Sequence, residues 1–171
     1  MSALSMGSSS SSVSASLGTS SYLDSNQLFG AAVKQINQPA ASTDNPLILL
    51  RNPAGSGKSL YLVNVTWSNT VTNVLTDFSI FFSPTVTANG TSLGVFSRSF
   101  AGTPVALATT TPTISANGNR VVVYGTGQNT APPNVIEPYS IKIPAGSAIL
   151  ITGDPSSNNR PADIFLSWAE F

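Results

Sequence analysis

The chain has 171 residues, seven basic and seven acidic side chains and no net charge, a length that fits one domain with a sizeable core. Only 8% of it is charged, against roughly a quarter in ordinary soluble proteins, and the cations are scattered singly, which leaves no electrostatic footprint for nucleic acid. The absence of His and Cys excludes Ser-His-Asp and Cys-His nucleophiles, a disulfide framework and ordinary zinc or iron sites, while leaving the redox compartment open.

Residues 1–45 read as an extended, Ser-rich arm. The first 21 are low in complexity and carry too little apolar surface to offset the entropy of ordering. They have neither the basic nor the apolar region of a secretory leader, and no run in the chain approaches the length of a membrane span, so no membrane partner is expected. Fully extended, the arm reaches on the order of 150 Å, enough to touch a neighbouring subunit. Its apolar residues Tyr22, Leu23, Leu28, Phe29, Val33 and Ile36 are the expected partner contacts. Leu28, Ala32 and Ile36, with Phe29 and Val33 beside them, match the spacing of a short helix capped by Ser25 or Asn26, against which Gly30 counts. The alternative is that these side chains cover one end of the same domain's core.

Residues 46–171 carry the period-two alternation of half-buried strands. Tyr61, Val63, Val65 and Trp67 are expected on one inward face, and Phe78, Ile80 and Phe82 on another. Further strands are expected over 47–51, 93–100, 104–109, 121–124, 139–143, 147–152 and 163–170, separated by turns such as Asn89-Gly90, Asn117-Gly118 and Pro144-Ala145-Gly146 that suit hairpins and short crossovers. The expected fold is an all-β, antiparallel two-sheet sandwich, with jelly-roll connections or, as the alternative, an immunoglobulin-like order.

Gly55-Ser56-Gly57-Lys58-Ser59 contains the Gly-Lys-Ser core of a phosphate-binding loop. The full pattern needs glycine where Asn52 stands, and Pro53 stiffens the loop and removes a donor. Such a loop also opens a helix, whereas Leu60 to Ser68 alternates as a strand, so a hairpin loop is expected instead. Seven separated carboxylates (Asp24, Asp44, Asp77, Glu137, Asp154, Asp163, Glu170) form no acidic calcium loop, although two of them could meet in space as a glycosidase pair. No catalytic residue, cofactor or metal is expected. Trp67 and Trp168 continue apolar faces and are expected in the core, which leaves Tyr124 and Tyr139 as candidate exposed aromatics for a sugar. So little charge favours an assembled state, the alternative being a neutral surface hydrated through Ser and Thr.

The strand-turn pattern from Asn45 to Trp67, the turn Ile141-Lys-Ile-Pro-Ala-Gly-Ser and the terminal Ile164-Phe-Leu-Ser-Trp resemble the β-sandwich virion proteins of tailed bacteriophages. That resemblance implies a capsid decoration or cement protein on the virion surface. Its partners would be the major capsid protein and copies of itself, a trimer among the options, bound through the sandwich and the terminal arm. A tail or fibre module that binds a host glycan is the alternative. No coiled-coil heptad is present to specify the oligomer.

Overall fold

A computed structural model describes residues 27–71, 75–98, 102–126, 134–135 and 141–171. These form fourteen strands and no helix: β1 (Leu28–Gln38), β2 (Asn45–Arg51), β3 (Leu60–Asn69), β4 (Thr76–Phe82), β5 (Thr85–Ala88), β6 (Thr91–Ser92), β7 (Val95–Ser97), β8 (Leu107–Thr110), β9 (Thr113–Ala116), β10 (Asn119–Thr126), β11 (Asn134–Val135), β12 (Ile141–Ile143), β13 (Ala148–Pro155) and β14 (Arg160–Glu170). All ladders are antiparallel. The expected all-β sandwich is what the chain builds.

The first sheet runs β12-β3-β14-β1-β7, with β11 sharing the β3 edge, and the second runs β10-β4-β13-β2-β8-β6. Consecutive long strands mostly alternate between the sheets, so the short connections bridge layers rather than close hairpins. Two buried asparagines shape such bridges. Asn45 donates to the carbonyls of Ala40, Thr43 and Gly153 at 2.7, 2.8 and 3.0 Å and holds the β1–β2 turn. Asn52 does the same at the opposite end, after β2. Each consumes carbonyls that a buried loop must otherwise leave unpaired.

Between the sheets lie Phe29, Ala31, Ile48, Leu50, Leu62, Val65, Trp67, Phe78, Ile80, Ile149, Ile151, Ile164, Leu166 and Trp168, among others, all buried. Trp67 stacks on Phe78 with ring centres 5.1 Å apart, and Trp168 lies 6.4 Å from Phe29. Both indoles are core residues, as the alternation of their strands requires.

Two expectations about strand faces fail at β-bulges. The helix over 28–36 is a strand: β1 pairs with β14 on one side and β7 on the other. Phe29, Ala31 and Val33 face the core, the register slips before Ile36, and Gln35 in between has a φ of 52°. That slip spaces Phe29, Val33 and Ile36 like a helix face. The sandwich therefore starts at residue 28 rather than 46, and the expected 1–45 arm gives residues 28–38 to the first sheet. The second failure is in β3. A bulge opposite Ser167 leaves Leu60, Leu62, Val65 and Trp67 facing the core, while Val63 joins Leu28 and Ala169 on the outer side. Tyr61 also turns outward, under the Lys142 ammonium at 5.8 Å and against the edge of Phe171.

The outer face of the second sheet is covered by a third layer. β4 ends at Phe82 and β10 begins at Asn119, directly opposite it in the same sheet. All of 83–118 is thus an excursion inserted between two neighbouring strands. β5 leaves beside Phe82 and delivers the chain to β6 at the far edge. β7 and β8 then extend the two sheets, and β9 returns alongside β5. The β5–β9 ribbon crosses the outer face twice, and beneath it Phe81, Leu150 and Leu49 are buried although their neighbours in sequence face the core. Covering three such side chains contributes roughly 1.5–3 kcal/mol each.

The two arms of the ribbon are a repeat that the sequence reading missed. Ser83-Pro84-Thr85-Val86-Thr87-Ala88-Asn89-Gly90 recurs as Thr111-Pro112-Thr113-Ile114-Ser115-Ala116-Asn117-Gly118, and the two copies pair about a pseudo-twofold axis with Val86 opposite Ile114. The Thr87 hydroxyl donates to the Thr113 carbonyl at 3.1 Å and the Ser115 hydroxyl to the Thr85 carbonyl at 3.4 Å, equivalent bonds in the two halves. Gly90 and Gly118 have φ of 79° and 91°, and a Cβ on either would stand 2.0 or 2.1 Å from the carbonyl oxygen of Thr110 or Phe82. Only glycine closes the ribbon at both ends.

Candidate functional site

The end of the sandwich where β2, β12 and β14 stop collects the polar side chains. Asn52 donates to the Lys58 and Ile143 carbonyls at 2.8 and 3.0 Å and accepts from the Ser56 hydroxyl at 2.7 Å. The place where a phosphate loop requires glycine thus holds the residue that organises this one. β3 follows at Leu60 with no helix, and because β2 and β3 lie in different sheets the loop is an inter-sheet bridge, not the expected hairpin.

Glu170, at the end of β14, is wholly buried. Its carboxylate accepts from the Val105 amide at 2.9 and 3.1 Å, the Ala106 amide at 3.1 Å and the Trp168 indole at 3.0 Å, and Lys58 Nζ stands 3.5 Å away. A buried carboxylate is tolerated only when it is paired and hydrogen-bonded. With its oxygens so occupied, Glu170 is a tie between β14, the segment leading into β8 and the 52–59 loop, not an acid or base free for chemistry.

The other described acids are similarly engaged or dispersed. Asp44 accepts from the Thr152 hydroxyl at 3.0 Å and pairs with Arg120, whose guanidinium lies 5.0 Å over the Phe81 ring. Asp163 accepts from the Gln35 amide at 2.8 Å. Asp77 and Asp154 stand directly opposite on β4 and β13. Among the described residues no three such side chains gather as metal ligands. Asp24, Glu137 and Tyr139 lie outside the described residues.

Of the expected partner contacts, Leu28, Phe29 and Ile36 are buried in this chain's own fold, and Val33, half-buried, packs on the core. β1 requires them: it is flanked by strands on both sides. Tyr22 and Leu23 lie outside the described residues. The exposed apolar side chains are others, including Phe96, which rests over Gly30 and stacks at 6.3 Å on Phe165, and Leu107 and Val123.

One cavity combines an unoccupied charge with enclosing walls. About 400 Å³ in volume, it lies where the ribbon meets the end of the second sheet and is lined by Arg51, Asn52, Ala54, Ser83, Pro84, Val86, Gly146, Ser147 and Ala148. Arg51 points away from the core, as Leu49 does, because Leu50 between them faces it. Arg51, half-buried as a residue, takes part in neither of the two ion pairs among the described residues. No local sequence signal identified this site, because its walls come from three connections far apart in the chain.

No protein-family model matches this chain, and neither the curated proteins nor the solved structures contain a significant match to it.

Proposed function

We propose that this chain is a non-enzymatic structural protein of a virus particle, a capsid decoration or cement protein that bridges neighbouring major capsid subunits and associates with copies of itself. One observation carries the reading. Set apart from the excursion, the body has the strand order β1-β14-β3-β12 facing β2-β13-β4-β10. That interleaving supports reading the body as two Greek keys wound into a jelly roll, an architecture recurrent in viral capsid and lectin domains. The sparse charge of the chain suits a protein whose solubility is settled by assembly rather than by repulsion.

The mechanism is linkage. A module that binds the assembled shell and not its dissociated subunits stabilises the shell in proportion to its occupancy, and contacts made by both a domain and its terminal segment multiply through effective concentration. Truncation must respect β1: removing residues 1–26 leaves every described strand intact, whereas removing 1–40 deletes a strand from the middle of the first sheet. The truncated protein should remain folded and bind expanded shells more weakly than the full chain. Undiminished binding ends the role of the terminal segment, and a few copies confined to the tail, with glycan-array binding, would replace the capsid reading with the lectin-like one.

A further inference from the structure

We infer that the cavity around Arg51 is a carboxylate-binding site, filled by an acidic side chain of another polypeptide; the identity of that polypeptide as an assembly partner rests on the structural role proposed above. The argument starts from charge. Among the described residues Arg51, itself half-buried, makes no ion pair, and no acidic residue is among the nine that line the cavity. The other arginine on this face, Arg120, is already neutralised by Asp44. An arginine held half-buried at such a cavity can take an anion, and its planar fork of donors matches a carboxylate in two parallel hydrogen bonds.

The walls add the remaining recognition. Ser83 and Ser147 add polar residues to the lining, and the cavity volume exceeds what a single acid side chain occupies, leaving room for its flanking backbone. Pro84, Val86 and Ala54 offer apolar contact on one side, and Leu107, cross-strand from Arg51, is 53% exposed on the other. No aromatic ring lines the cavity. Sugars are usually held against aromatic faces, so the lining favours a peptide over a uronic acid. The cavity also depends on the excursion: without β5 lying over the sheet end, Arg51 would stand in open solvent.

The test uses the full chain with three probes: the blocked peptide Ac-Ala-Asp-Ala-NH2, its Asn counterpart and glucuronate. Amide chemical shifts should move at Asn52, Ser83 and Ser147 on addition of the Asp peptide and stay still with the Asn peptide. Arg51→Gln should weaken binding by at least about tenfold, the scale of a lost charge-assisted hydrogen bond. Arg51→Lys, which keeps the charge and loses the fork, should fall between, and an undisturbed amide spectrum in either variant certifies the fold. Shifts that survive Arg51→Gln overturn the site, and tighter binding of glucuronate than of the peptide overturns the peptide assignment. Particle binding by Arg51→Gln reports separately: full retention on shells with lost peptide binding would fault the partner's identity and leave the structural role standing.

Discussion

The eight-strand body and the 83–118 excursion solve the same problem with opposite means. The body is held by volume: aliphatic and aromatic side chains from two sheets interdigitate, and each long strand pairs with others distant in sequence. The part of the excursion that forms the β5–β9 ribbon is short strands of Thr, Ser, Ala and Asn, with Val86 and Ile114 half-buried as its inward side chains and two glycines at its corners, while β7 and β8 join the two sheets. Its shape is set by backbone sterics at four positions, where Gly90, Gly118, Ser83 and Thr111 all take positive φ. Burial makes the first region one cooperative unit, while turn geometry makes the second a local structure that rests on it.

Five substitutions test that contrast. Trp168→Ala should cost about 3–5 kcal/mol, the usual cost of emptying a large buried site, and should lower protection of both regions together in hydrogen exchange. Glu170→Ala strips the partners from the Val105 and Ala106 amides and the Trp168 indole at once. A loss of about 3 kcal/mol is expected in denaturant melts, as for a broken buried charge network, and a loss below a third of that would mean the tie is replaced by water. Gly118→Ala and Gly90→Ala should each cost about 2 kcal/mol through positive φ and the carbonyl clash, with exchange quickened in β5 and β9 but not in β3 or β14. Similar penalties at the two glycines are what the pseudo-twofold demands; a large inequality would break it. Smallest is Asp77→Asn, which removes one of two like charges facing each other across β4 and β13 and should raise the melting temperature slightly.

Much of the body was legible in the sequence because alternation survives wherever a strand faces one core. β2, β4, β10, β13 and β14 fall at or near the expected ranges, and Trp67 and Trp168 face inward as expected. Legibility fails where the register slips. A single extra residue in β3 exchanged Tyr61 and Val63 for Leu60 and Leu62 on the core face, and the slip in β1 turned a strand into an apparent helix face. The ribbon was missed for a different reason: its residues are too polar for strand alternation, and its signal is a repeat, visible only when Ser83–Gly90 is set beside Thr111–Gly118. The Arg51 cavity had no local signature at all, since Arg51, Ser83 and Ser147 are brought together by topology alone.

The adjacency of Phe82 and Asn119 gives the molecule a natural cassette. Everything between those two residues leaves β4 and returns beside it at one rung of one ladder, so a foreign 83–118 segment needs matching ends, strands that pair with β1 and β2, and amides for the Glu170 carboxylate. Homologous modules could thereby exchange the covering of one whole face, and the pocket it completes, by a single in-frame replacement that leaves the eight pairing strands unaltered.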